Sequence, residues 1–247
     1  LHPRVRRQRQ MCIRDRFEKN GFIVELDLYM FEQVCKMIES WHKNGYRIIP
    51  VSVNMSRGHF LVPNFFDRYK EILERYDVPK GSIEIELTES LFLNEISTMT
   101  DLVNKIHEVG LRCSIDDFGS GYSSLNMLKD IDADVLKLDM KFLDLNPENN
   151  DKGVSIITAV LDMARQLDIP TIAEGIETDE QFKLLELLGC EYAQGYYYYR
   201  PMSISDYEKL IDDKDNVADK LIILKTRKND KSYLKEITDY FWNCLLY

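Results

Sequence analysis

Long apolar runs are missing from this sequence. None of its 247 residues falls in a stretch approaching the roughly 18 apolar residues a bilayer-spanning helix needs, so no membrane segment is expected. No positive start leads through an apolar centre to a small-residue cleavage site. Cysteine is sparse: residues 12, 35, 113, 190 and 244 are odd in number, scattered and never CxxC. That excludes a disulfide framework and a cysteine zinc site, and a reducing cytoplasm is the expected compartment. The four histidines, at 2, 42, 59 and 107, have no ligand-like spacing, which excludes a histidine metal centre and places them on the surface. "GSGYSS" matches neither a Walker loop nor GxGxxG. Positive charge is short as well. The chain carries a net −10, yet residues 1–16 hold six Arg against one Asp, so all the acid excess lies in the remainder. An acidic body argues against nucleic acid as a partner, since phosphate backbones need Lys and Arg, and it suits a protein that gathers divalent cations.

What is present, from Leu26 onward, is a regular alternation. "LDLYMFEQVCKMIESWHKN" has apolar residues at helical spacing, "RIIPVSVNMS" is a β-branched run stopping at Asn54, and the pattern repeats to "CEYAQG". Strands are expected at about 48–54, 83–88, 112–116, 135–139, 170–174 and 191–194, with helices between them, which implies βα units on a parallel sheet. A closed TIM-type barrel needs eight strands, and this count reaches six. Three segments are expected: a basic, foreign-looking 1–16, a barrel domain over 17–212, and a mixed-charge helical extension over 213–247 ending in "YFWNCLLY".

Each expected strand ends in a polar group: Asn54; Glu86, followed by Glu89; Asp116 and Asp117; Lys137 and Asp139; Glu174, followed by Glu177; and Gln194. In a TIM barrel these ends meet at one face, where such proteins place their active sites. One acidic residue after a strand is ordinarily a turn or helix cap, and Glu89 and Glu177 each also read as helix-starting acids. Six successive polar strand ends are not explained that way. Dense carboxylates repel one another and are costly to bury, and a divalent cation resolves both problems. The donors are hard oxygens, which suits Mg²⁺ or Mn²⁺, and two such ions would clamp the attacking and leaving oxygens of a phosphoryl displacement.

The motifs "VSVNMS", "IELTES", "IDDFGSGYSSL", "LKLD", "IAEGIET" and "QGYYYYRP" follow one another between about residues 17 and 212. Together they resemble the EAL-type cyclic-di-GMP phosphodiesterase domain. The resemblance implies a TIM-type (β/α)8 barrel with one irregular early strand, hydrolysis of cyclic-di-GMP to linear pGpG, and two Mg²⁺ or Mn²⁺ ions. Carried over by motif, Asn54, Glu86, Asp116 and Asp117 are metal ligands. Lys137 contacts a water on the metal, with Asp139 in support. Glu174 is the general base, Gln194 completes the shell, Glu89 anchors the loop after Asp117, and Glu177 is a further supporting carboxylate. That loop, with Gly119 and Gly121, is a mobile element coupling the site to dimerisation, and the expected partners are a second copy and an upstream diguanylate cyclase or sensor domain.

Two departures stand out. The Glu-Ala-Leu motif, one of whose residues is a family metal ligand, belongs upstream of "FEKNGFIVELD", where this chain has its arginine-rich segment. The barrel is therefore expected to lack its first strands, and the chain as it stands to be poorly soluble with little hydrolysis. Tyr199 also stands before "RP", where the family has a small residue. The alternative is a cyclic-di-GMP-binding or signalling module without turnover. A third reading, an enolase-like barrel, is opposed by the complete "IDDFGSGYSSL" and "AEGIE" strings.

Overall fold

Strand and helix alternate because the apolar period switches repeatedly between 2 and 3.6. A computed structural model describes residues 17–92, 96–119, 125–139 and 150–212, residue 19 excepted. Segments 1–16 and 213–247, and most of the loop after Gly119, lie outside the described residues. The strands are β1 (Val51–Asn54), β2 (Ile83–Thr88), β3 (Arg112–Phe118), β4 (Val135–Asp139), β5 (Thr171–Glu174) and β6 (Tyr192–Gln194). All pairings are parallel and the order is sequential, β1 to β6, so the sheet is a half-barrel with β1 and β6 as its edges among the described residues. Six strands match the six read from the sequence.

The helices are α1 (Ile23–Lys43), α2 (Phe65–Leu73), α3 (Ile96–Glu108), α4 (Leu125–Asp130), α5 (Asn150–Gln166), α6 (Asp179–Leu188) and α7 (Ile204–Asp212). Helix α1 buries Val24, Leu28, Phe31, Cys35, Ile38 and Trp41, three and four residues apart, as an amphipathic helix must. Helix α6 has a capping box: Thr178 accepts from the Gln181 N–H, and the Gln181 side chain returns the bond to Thr178. It stops at Gly189, whose φ of 75° is the left-handed turn that glycine enters freely. The Trp41 indole packs on Tyr207 with ring centroids 5.4 Å apart, and its Nε1 donates to Glu208 Oε1 at 2.9 Å, so α1 and α7 touch.

The structure moves several expected boundaries. Strand β1 is four residues long, with Arg47 to Pro50 outside it, since proline removes a ladder donor. Strand β3 runs two residues past Asp116, so the paired aspartates lie inside it. Helices α4 and α7 were not distinguished in the sequence, being six and nine residues long.

In β2 the alternation "IEIELT" decides the layout. All but Thr88 are buried, although half the residues are polar. Successive side chains face opposite sides, so Ile83, Ile85 and Leu87 share one face and Glu84, Glu86 and Thr88 the other. The isoleucine face joins the core with Cys113, Ile115 and Val103. The glutamate face carries the site.

Candidate active site

Parallel register sets the strand-end side chains in rows. Asn54 lies opposite Glu86, and Glu86 opposite Ser114. On the other half, Asp139 lies opposite Glu174, and Glu174 opposite Gln194. Between the rows, Thr88 faces Asp116, and the β3–β4 register slips between Ile115 and Phe118. A slip of this kind kinks a strand and re-aims its side chains. Asp117 sits in it with φ of 55°, and its N–H donates to Asp116 Oδ1 at 2.8 Å. Asp116 is half-buried and Asp117 exposed.

Lys137 stands between the two halves. It is fully buried, and its Nζ pairs with Glu86 Oε1 and lies 3.2 Å from Glu174 Oε1. Burial alone would lower its pKa, but Glu86, then Glu174, Glu84 and Asp116, hold it well above the ordinary lysine value, so it is an ammonium. Glu86 is pushed up to about 8, first by burial, with Lys137 opposing and Asp116 and Glu174 adding. Glu174 is also raised, by burial first and against the pull of Lys137. One ammonium thus faces more carboxyl groups than it can keep ionised.

Glu89 is buried, and its Oε2 accepts the Gly119 N–H at 2.9 Å, tying the turn after β2 to the chain leaving β3. Glu177 is exposed, and among the described residues it enters through its backbone N–H, which donates to Gln181 Oε1 at 2.7 Å in the cap of α6. Gln194 is half-buried, and its carbonyl accepts the Ile176 N–H at 3.0 Å. The next residue must be glycine: a Cβ on Gly195 would stand 2.0 Å from the Ile176 oxygen. Tyr199, also half-buried, donates its N–H to the Gly195 carbonyl in the same turn.

Two features escaped the sequence reading. Glu84 is buried beside the site and accepts from Ser52 Oγ at 3.0 Å; the "IEIE" alternation, which puts it on the face of Glu86, was the available signal. His59, expected on the surface, is fully buried: its Nε2 lies 3.2 Å from Asp27 Oδ2 and 3.1 Å from the Tyr69 hydroxyl. A polar partnership compensates the burial, and its signal was Asp27, a carboxylate at an apolar-face position between Val24 and Phe31.

Oxygen donors suited to a hard cation therefore line the C-terminal strand ends. Among the described residues, no three His, Cys, Asp or Glu side chains close on a single point.

Comparison with known proteins bears on this arrangement. The EAL domain family model matches residues 12–201. The signaling protein YkoW of Bacillus subtilis is 34% identical over 194 residues, 78% of this chain and 24% of its own length. The cyclic di-GMP phosphodiesterase NbdA of Pseudomonas aeruginosa is 32% identical over 201 residues, 80% of this chain and 26% of its own length. The chain thus spans about a quarter of the length of these curated relatives. Among solved structures, the PaMucR phosphodiesterase in complex with c-di-GMP superposes with a TM-score of 0.72 at 30% identity, covering 77% of each chain. The EAL domain of Mycobacterium smegmatis DcpA gives 0.70 at 31% identity, over 77% of this chain and 85% of that one. Strand order, strand-end chemistry and these matches agree: the chain belongs to the EAL domain family.

Proposed function

We propose that the domain hydrolyses one phosphodiester of cyclic-di-GMP to linear pGpG, with two Mg²⁺ or Mn²⁺ ions held by Asn54, Glu86, Asp116 and Asp117. The observation that carries the reading is the buried Lys137 ammonium shared between Glu86 and Glu174. A structural core has no use for so costly a group, whereas a phosphoryl-transfer site does. The names of NbdA and of the PaMucR complex support the substrate.

The donor set fits such ions: carboxyl and amide oxygens throughout, with more carboxyl groups than Lys137 alone can keep ionised, which a bound cation would favour in their charged form. When bound, the ions would supply positive charge against the phosphoryl oxygens and favour deprotonation of the attacking water. The chain's own residues do the rest. Glu174, raised by burial, accepts the proton of that water at its carboxylate. Lys137 holds Glu174 in place from below, with Asp139 and Gln194 on the flanking strands. The water oxygen bonds to phosphorus as the bond to the leaving ribose oxygen breaks, and that oxygen takes up a proton.

A second reading, a cyclic-di-GMP-binding module without turnover, is favoured by the absence, among the described residues, of three acids closing on one point. Chromatographic assay of pGpG with Mg²⁺, Mn²⁺ or Ca²⁺ decides between them. Turnover is expected with Mg²⁺ and Mn²⁺, and inhibition with Ca²⁺, whose longer bonds and larger coordination number spoil a tight two-ion site. Glu174→Gln lowers turnover by roughly 10²–10⁴ while ligand affinity is kept. Binding without pGpG establishes the second reading, and undiminished turnover in EDTA overturns the metal assignment. A homodimer and an upstream diguanylate cyclase or sensor domain belong to the same proposal.

A further inference from the structure

We propose that Asp27 is a positioning residue for Asn54, pinning the chain where it leaves β1; the inference rests on the reading of Asn54 as a metal ligand. Strand β1 is an edge among the described residues, paired only with β2. Past Asn54 the ladder supplies one bond, from the Met55 N–H to the Glu86 carbonyl at 3.0 Å. The next N–H, that of Ser56, donates instead to Asp27 Oδ2 at 2.8 Å. A helix side chain thus holds the chain two residues beyond the candidate ligand.

Asp27 is fully buried on α1 between Val24, Leu28 and Phe31, where an apolar residue would pack without the desolvation cost of a carboxylate. What it holds accounts for its presence. Both of its contacts converge on Oδ2: the Ser56 N–H and, at 3.2 Å, His59 Nε2. Oδ1 is buried with no partner, so Ser56 and His59 alone set the carboxylate's orientation. The Tyr69 hydroxyl, 3.1 Å from the same imidazole nitrogen, fixes the ring from α2. The line from Tyr69 through His59 and Asp27 to the Ser56 backbone resembles the outer supports that orient metal ligands elsewhere.

The test uses the full chain. Ser56 has φ −78° and ψ 156°, within proline's range, so Ser56→Pro deletes the N–H without straining φ, and its Cδ pushes the Asp27 carboxylate off the chain. Ser56→Ala keeps the N–H and removes only a hydroxyl that has no partner. Mn²⁺ affinity is measured by calorimetry without substrate. Amide exchange is followed at residues 54, 55 and 57, and melting confirms folding. Ser56→Pro and Asp27→Leu are expected to weaken Mn²⁺ binding by about 10–100-fold and to speed exchange. Ser56→Ala is expected to change neither, and Asp27→Asn, which keeps an acceptor oxygen, to restore most of the affinity. A folded Ser56→Pro variant with unchanged affinity and unchanged exchange overturns the proposal, and it decides the matter if Asp27→Leu does not fold. If the wild-type chain takes up no Mn²⁺, the metal reading fails instead, and the exchange comparison still decides the anchor: faster exchange supports it and unchanged exchange overturns it.

Discussion

The Glu89 carboxylate and the Gly119 backbone N–H, thirty residues apart in sequence, meet at 2.9 Å inside the protein. Glu89→Ala leaves that N–H unsatisfied at a part-buried position, a cost of about 1–3 kcal/mol. The expected result is a lower urea midpoint, faster amide exchange at residues 117–119 and weaker turnover. Glu89→Gln, which keeps an acceptor oxygen, recovers most of each. Equal exchange in wild type and Glu89→Ala would show that the bond holds nothing in place.

Asp117 occupies left-handed backbone at φ 55°, a conformation that costs L-residues roughly 1–2 kcal/mol and glycine nothing. Asp117→Gly is expected to raise the stability of the metal-free protein by up to about 1 kcal/mol, since part of the gain is lost to the freer unfolded chain. The same change should weaken Mn²⁺ binding. Opposite signs in the two assays distinguish a strained ligand from an ordinary turn residue.

The raised Glu86 sets a pH dependence. Its carboxyl is pushed from the ordinary 4.5 up to about 8 in the folded protein, so between those values the folded state holds a proton that the unfolded chain has released. Stability on this account is greatest below about pH 4.5 and falls as pH rises toward 8, by on the order of 1 kcal/mol per unit. Urea titrations without divalent metal at pH 5, 6, 7 and 8 should show the decline, and Glu86→Gln should make it shallower, leaving the part that the raised Glu174 contributes. A wild-type profile as flat as the variant's refutes the assignment.

Gly195 is constrained differently. An added Cβ would lie 2.0 Å from the Ile176 oxygen and 2.3 Å from its nitrogen, and backbone atoms cannot step aside as a side chain can. Gly195→Ala should therefore cost more than about 3 kcal/mol and displace the β5–β6 connection next to Glu174. Gly175→Ala is the control: its Cβ meets nothing within 4 Å, so only the strain at φ 78° is added. Similar denaturation midpoints for the two variants would mean that the contact between Gly195 and the Ile176 backbone yields easily.

Strands and strand-end chemistry were legible because both follow from local pattern: the β-branched run before Asn54, the "IEIE" alternation and the polar residue closing each run. The register that sets Asp139, Glu174 and Gln194 side by side follows from parallel pairing in sequential order. What stayed hidden depends on contacts between distant segments. Asp27, a carboxylate on the apolar face of α1, signals that it has a partner but not which one, and only folding brings α1 onto the turn after β1 and so onto His59. The bulge at Asp116 and Asp117 was hidden for a related reason, since a register slip belongs to two strands at once.

The contact of Trp41 with Tyr207 and Glu208 bears on how the chain comes together in time. Among the described residues, every strand pairing joins sequence neighbours and can form as each βα unit emerges. The Trp41–Glu208 bond, by contrast, spans 167 residues and waits for α7, the last helix among the described residues. Closing so long a loop is slow, and it comes after the shorter closures inside it. Until α7 arrives, the indole that ends up almost fully buried is open to solvent and to chaperones. In a Trp242→Phe variant its fluorescence would thus time the docking of α7, separately from the earlier growth of the sheet.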